Sequence, residues 1–85
     1  MNQTTKQQGI DTRERIYRFL VEFISENSYA PSIKEIGAGV ELRSTSSVYY
    51  QLIKLKEEGK IKMKHNSPRT IQIVGFEFVR MEDSV

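Results

Sequence analysis

Apolar residues early in the chain fall at Ile16, Phe19, Leu20, Phe23 and Ile24. This i, i+3, i+4, i+7, i+8 spacing puts them on one stripe of an amphipathic helix. Tyr17 and Val21 lie beside the stripe and widen it, so these aromatics read as core. Asp11, with Glu14 three residues later, makes a variant capping box and predicts a first helix over residues 12–27, ended by "NSYAP". Residues 1–9 are polar without periodicity, and residues 1–10 are expected to form a flexible arm.

After Pro31, Ser32 and Glu35 form a second capping box, and Ile33, Ile36 and Val40 share a face. A short helix over residues 32–40 follows. Gly37 and Gly39 each cost about 1 kcal/mol relative to Ala in a helix, a cost that fits the close approach of another helix. Next, Val48, Leu52 and Leu55 fall within about 40° of one another on a helical wheel. They predict a third helix from Ser44 to about Glu58, stopped by Gly59.

The period then changes from helical to two. "KIKMKHN" alternates Ile61 and Met63 with Lys60, Lys62 and Lys64, and "TIQIV" turns Ile71 and Ile73 to one side. "NSPR" between them is a turn cluster, so a β-hairpin with its tip at Asn66–Arg69 is expected. Short helix, tight turn, longer helix and hairpin make a winged helix-turn-helix. The expected fold class is α+β, mainly α: three helices followed by a β-hairpin wing over residues 11–75. Residues 76–85 form a tail in which "FEFVR" is a third strand or a partner surface.

Composition narrows the function. Eighty-five residues make one domain. The absence of cysteine removes disulfides, thiolate nucleophiles and most structural zinc sites, and His65 cannot build a metal site alone. No apolar stretch approaches the roughly 20 residues needed to span a bilayer, and the start has no apolar signal region, which suggests a cytoplasmic protein. The hydroxyl residues have no histidine or carboxylate arrangement beside them to act as base, and no glycine-rich phosphate loop is present. Neither an enzyme, a cofactor nor a small-molecule substrate is expected.

The net charge of +2 implies nothing, but its distribution does. Residues 54–70 carry seven basic side chains, Lys54, Lys56, Lys60, Lys62, Lys64, Arg69 and His65, against Glu57 and Glu58. Such a patch fits either a phosphate-contacting edge or a solvated face, and strand lysines also discourage edge-to-edge aggregation. With Val48 inward, Ser46, Ser47, Tyr50 and Lys54 face outward, while Tyr49 and Ile53 lie at the flank. A run of small hydroxyls opening a helix is a plain N-terminal cap or, in a helix-turn-helix, a turn slim enough to enter the major groove. On that reading Ser46, Ser47, Tyr49 and Tyr50 meet base edges. Ser32, Ser44, Lys54, Lys64, Asn66, Ser67 and Arg69 meet phosphates, with Arg69 favoured over His65 because a guanidinium forks onto phosphate. The alternative is a winged helix that docks another protein without binding DNA.

"YAPSIKEIGAGVELRSTSSVYYQLIKLKEEGKI" resembles the N-terminal DNA-binding domain of LexA-type repressors, regulators of the bacterial SOS response. The matching features are the Pro-Ser start, "EIG" in the second helix, the "LRS" turn, "SSV" opening the third helix, and "GKI" leading into the wing. With "SPRTIQIV" the likeness spans about residues 11–74. It implies binding to double-stranded DNA as a homodimer on a palindromic operator, with Ser44, Ser46, Ser47, Tyr49 and Tyr50 at contact positions. Glu41 stands where the family usually has glycine, so a residue with a Cβ is expected at positive φ. Tyr49 and Tyr50 also differ from the smaller or charged residues typical there, so no operator sequence carries over. The family's self-cleaving domain, with its Ser-Lys dyad, is expected after residue 80. Its absence here fits an excised domain or a stand-alone LexA-like protein.

Overall fold

The apolar stripes of three helices meet a half-buried hairpin in one core. The computed structural model describes residues 5–65 and 67–75. It contains α1 (Thr5–Asn27), α2 (Ile33–Val40), α3 (Thr45–Glu57), β1 (Ile61–Lys64) and β2 (Ser67–Ile73). The strands pair antiparallel as a two-stranded sheet. Ile16, Leu20 and Ile24 of α1 bury against Ile36 and Val40 of α2 and Val48, Leu52 and Leu55 of α3. Ile61, Met63, Ile71 and Ile73 close the core from the wing, while Lys62, Lys64 and Gln72 face out. Most positions of both hydrophobic periods turn inward as expected; Phe19 and Phe23 of the α1 stripe are only half-buried, and the Phe23 ring lies against those of Phe19 and Tyr29. No helix of the described residues is long and apolar enough to cross a membrane.

The start of α1 departs from expectation. The helix begins at Thr5 rather than near residue 12, so residues 5–10 are helical instead of a flexible arm. Lys6, Gln7 and Gln8 are good helix formers and no proline interrupts them, so the helix runs on through Gly9. Asp11 consequently lies inside the helix and is not its cap. Residues 1–4, and the tail over 76–85 with its suggested strand, lie outside the described residues.

The second helix begins as its sequence predicts. Ser32 Oγ accepts a hydrogen bond from Glu35 N at 3.1 Å, and Glu35 Oε1 accepts one from Ser32 N at 2.8 Å. Its two interior glycines serve different neighbours. A Cβ at Gly39 would overlap the Phe19 ring of α1, so this position admits the neighbouring helix. A Cβ at Gly37 would lie 2.8 Å from the Leu42 carbonyl oxygen, so this position admits the turn into α3. Glu41 ends α2 at φ 62°, ψ 43°, the left-handed conformation expected of it. Leu42 N then donates to Gly37 O at 2.8 Å.

Two arginines of α1 brace the other helices. Arg15 Nη2 donates to Val40 O at 2.7 Å, satisfying a carbonyl that the end of α2 leaves without a helical partner. Arg13 Nε donates to Gln51 Oε1 at 2.8 Å, and its Nη1 lies 2.6 Å from Glu58 Oε2. Gln51 is buried on the apolar stripe of α3, so its amide needs this partner.

The hairpin tip also differs from expectation. Ser67, Pro68 and Arg69 belong to β2 and not to a turn. The register runs Ile61 with Ile73 and Lys62 with Gln72, then jumps to Lys64 with Ser67. The extra residues form a bulge in which Lys64 N donates to Thr70 Oγ1 at 2.9 Å and that hydroxyl donates to Ser67 O. A side chain thus bonds where the strand ladder is broken, and Pro68, which has no N–H, is accommodated.

Overpacking the turn at Gly37 is expected to be expensive: Gly37→Leu should lower unfolding free energy by about 1–3 kcal/mol, while Ala38→Leu, at an exposed neighbour, should change it little. Urea denaturation of both variants checks this. Glu41→Gly should raise stability by roughly 0.5–1 kcal/mol, because relief of the left-handed backbone outweighs the added freedom of the unfolded chain. The melting temperature of that variant reports the sign.

Candidate nucleic-acid interface

A polar first turn leads the exposed side of α3. Ser44 is the N-cap, with φ −86° and ψ 118°, and its Oγ accepts from Ser47 N at 3.2 Å. Thr45, Ser46 and Ser47 are all exposed, while Val48 behind them is fully buried. Tyr50 is 55% exposed, whereas Tyr49 is half-buried against the core. Lys54 Nζ lies 5.5 Å from the Tyr50 ring centroid and 3.6 Å from Glu57 Oε1. Ser46, Tyr50 and Lys54 therefore run down one row at i, i+4, i+8, giving a hydroxyl, an aromatic ring and a cation in sequence.

The other expected contact residues form a second group. Ser32 caps α2, and its cap joins the wing through Glu35, whose Oε1 lies 3.4 Å from Arg69 Nη2. Arg69 Nη1 also donates to Ala30 O at 3.2 Å, and its guanidinium lies 5.9 Å from the Tyr29 ring centroid. Arg69 thus folds back from β2 onto the loop between α1 and α2 rather than extending from a hairpin tip. Lys64 is exposed at the end of β1, and Ser67 Oγ donates to His65 O at 3.2 Å. Asn66 lies outside the described residues. Among the described residues, no group of three His, Asp or Glu side chains is placed to hold a metal ion.

One part of this surface escaped sequence reasoning. Ile33 of α2 faces Tyr49, Tyr50 and Ile53 of α3 across an open groove, with Lys34 and Ser46 at its edge. Its signal in the sequence was Ile53, an apolar residue lying off the Val48–Leu52–Leu55 stripe. Arg13 was missed too; the signal was Gln51, a polar residue on that stripe.

The family profile described as LexA DNA binding domain matches residues 1–70. The chain belongs to the LexA DNA-binding domain family. The LexA repressor of Clostridium tetani is 40% identical over 70 residues, covering 82% of this chain and 35% of that protein. That of Clostridium novyi is 47% identical over 64 residues, covering 75% and 31%. That of Clostridium botulinum strain Hall is 43% identical over 65 residues, covering 76% and 32%. The chain matches about a third of the length of these relatives. Within this LexA-type domain the matched region takes in all three helices, β1 and the start of β2.

Stability separates the cap from its neighbours in the first turn. Ser44→Ala should cost about 1 kcal/mol through loss of the bond to Ser47 N, whereas Ser46→Ala should change unfolding free energy by no more than about 0.5 kcal/mol. Chemical denaturation followed by circular dichroism distinguishes the two.

Proposed function

We propose that this LexA-type domain binds double-stranded DNA sequence-specifically and acts as a transcriptional repressor in the bacterial cytoplasm. On this reading α3 enters the major groove and the hairpin lies on the backbone or in the minor groove. The observation that carries it is the exposed hydroxyl turn of α3, held outward by the buried Val48, Leu52 and Leu55. Short side chains let the helix approach base edges closely, and hydroxyls can donate or accept there. Ser46, Ser47, Tyr49 and Tyr50 take the base-reading positions.

Phosphate contacts fall to Ser32, Ser44, Lys54, Lys64, Asn66, Ser67 and Arg69. The capping role of Ser32 and Ser44 is compatible with this. Each Oγ accepts from a backbone N–H, and its own proton remains able to donate to a phosphate oxygen. Arg69 has five N–H donors, and its bonds to Ala30 and Glu35 leave others for phosphate on a side chain that is 57% exposed. Two copies on a palindromic operator complete the proposal.

Selection of bound duplexes from random DNA, followed by salt titration, tests these roles. A palindromic consensus and an affinity that falls steeply with salt are expected. Lys64→Ala and Arg69→Ala should weaken binding alike on every sequence, each reducing the salt slope by about 1. Ser46→Ala and Tyr50→Ala should alter the selected sequence. Binding indifferent to salt, or four variants acting alike on all sequences, would defeat the assignment.

A further inference from the structure

We infer that the groove between α2 and α3 is a seat for thymine 5-methyl groups, so that this domain reads T·A pairs by apolar burial as well as by hydrogen bonding. The inference rests on the proposed entry of α3 into the major groove. Two parallel rows run down α3, one on its outer side and one on the flank toward α2. Ser46, Tyr50 and Lys54 form a row that ends in a cation. Thr45, Tyr49 and Ile53 form one that begins with the same chemistry and ends in an aliphatic side chain. Ile33 of α2 faces this second row, and together they make an open, mostly apolar groove of about 680 Å³.

An exposed apolar groove beside a DNA-reading turn needs an occupant. Its rim is hydroxyl and cationic: Ser46 at one edge and Lys34 at another, with Lys54 next to the Tyr50 ring. The occupant must therefore combine hydrogen-bonding edges, negative charge and an apolar group on one surface. The major groove does so: its phosphates carry the charge, its base edges the donors and acceptors, and thymine its methyl. An apolar protein segment would fill the groove but leave the hydroxyl turn and the lysines unmatched. The exposed Tyr50 and the half-buried Tyr49 and Ile53 supply apolar surface for the methyl.

Deoxyuridine tests this directly, because it removes the methyl and keeps the base pair. Each thymine of the selected duplex is replaced singly by deoxyuridine, and affinity is measured by fluorescence anisotropy at fixed salt. One or two positions in each half-site should lose roughly three- to fivefold, the value of burying one methyl. Ile53→Ser and Ile33→Ser each make one wall of the groove polar, at half-buried positions outside the residues assigned to bases and phosphates. In both, the deoxyuridine penalty should shrink toward none while salt-dependent binding persists. Unchanged affinity at every substituted position, with wild-type binding otherwise intact, would overturn the methyl seat and leave DNA binding standing. A penalty undiminished in both variants would overturn it equally. Binding to no duplex at all would remove both this inference and the function beneath it.

Discussion

The geometry of the outer surface depends on how closely the turn after α2 folds onto Gly37. The Leu42 carbonyl lies where a Cβ at residue 37 would be, and Leu42 N bonds to Gly37 O. That closure fixes how α3 leaves α2 and brings Ile33 opposite Tyr49 and Ile53. The long helix α1 then acts as a strut. Arg15 holds the last carbonyl of α2, and Arg13 holds the buried amide of Gln51 in α3. Phe19 fills the space left by Gly39. Close approach on one side and two arginine braces on the other position α3 without using its outer face.

A single carboxylate connects this arrangement to the wing. Glu35 Oε1 accepts from Ser32 N and also lies beside Arg69 of β2. Exposed ion pairs of this kind contribute little stability, so the value of the contact lies in position. The chain loops back 39 residues to bring Arg69 to Ala30, and the hairpin is thereby oriented against the start of α2 as well as against α3. Ser32, Glu35 and Arg69 form one chain of polar contacts from the start of α2 to β2.

Much of this is legible in the sequence. The 3.6-residue and two-residue periods located every element, because each buries one face and so repeats its apolar residues. The Ser32–Glu35 box and the left-handed Glu41 were legible because capping and turn chemistry are local. What was not legible depends on distance or on weak local signals. The polar residues at the start of α1 favour helix without marking where it begins. The hairpin bulge replaces ladder bonds with the Thr70 hydroxyl, which alternation does not encode. Arg13 and Gln51 are 38 residues apart, and Ile33 meets Ile53 across a turn, so neither pairing follows from spacing. Arg69 was expected at the hairpin tip because a turn-like "NSPR" reads as a turn, and the bulge drew three of those residues into the strand.

Glu41 carries a consequence beyond the fold. Both glutamate codons become glycine codons by one change at the second base, so relief of the left-handed backbone at φ 62° is a single mutational step away. The substitution expected to favour folding is therefore a small step in sequence and a local one in structure, confined to the turn between α2 and α3. At this turn the backbone conformation is set by the close approach of Leu42 to Gly37, and the side chain at residue 41 accommodates to it.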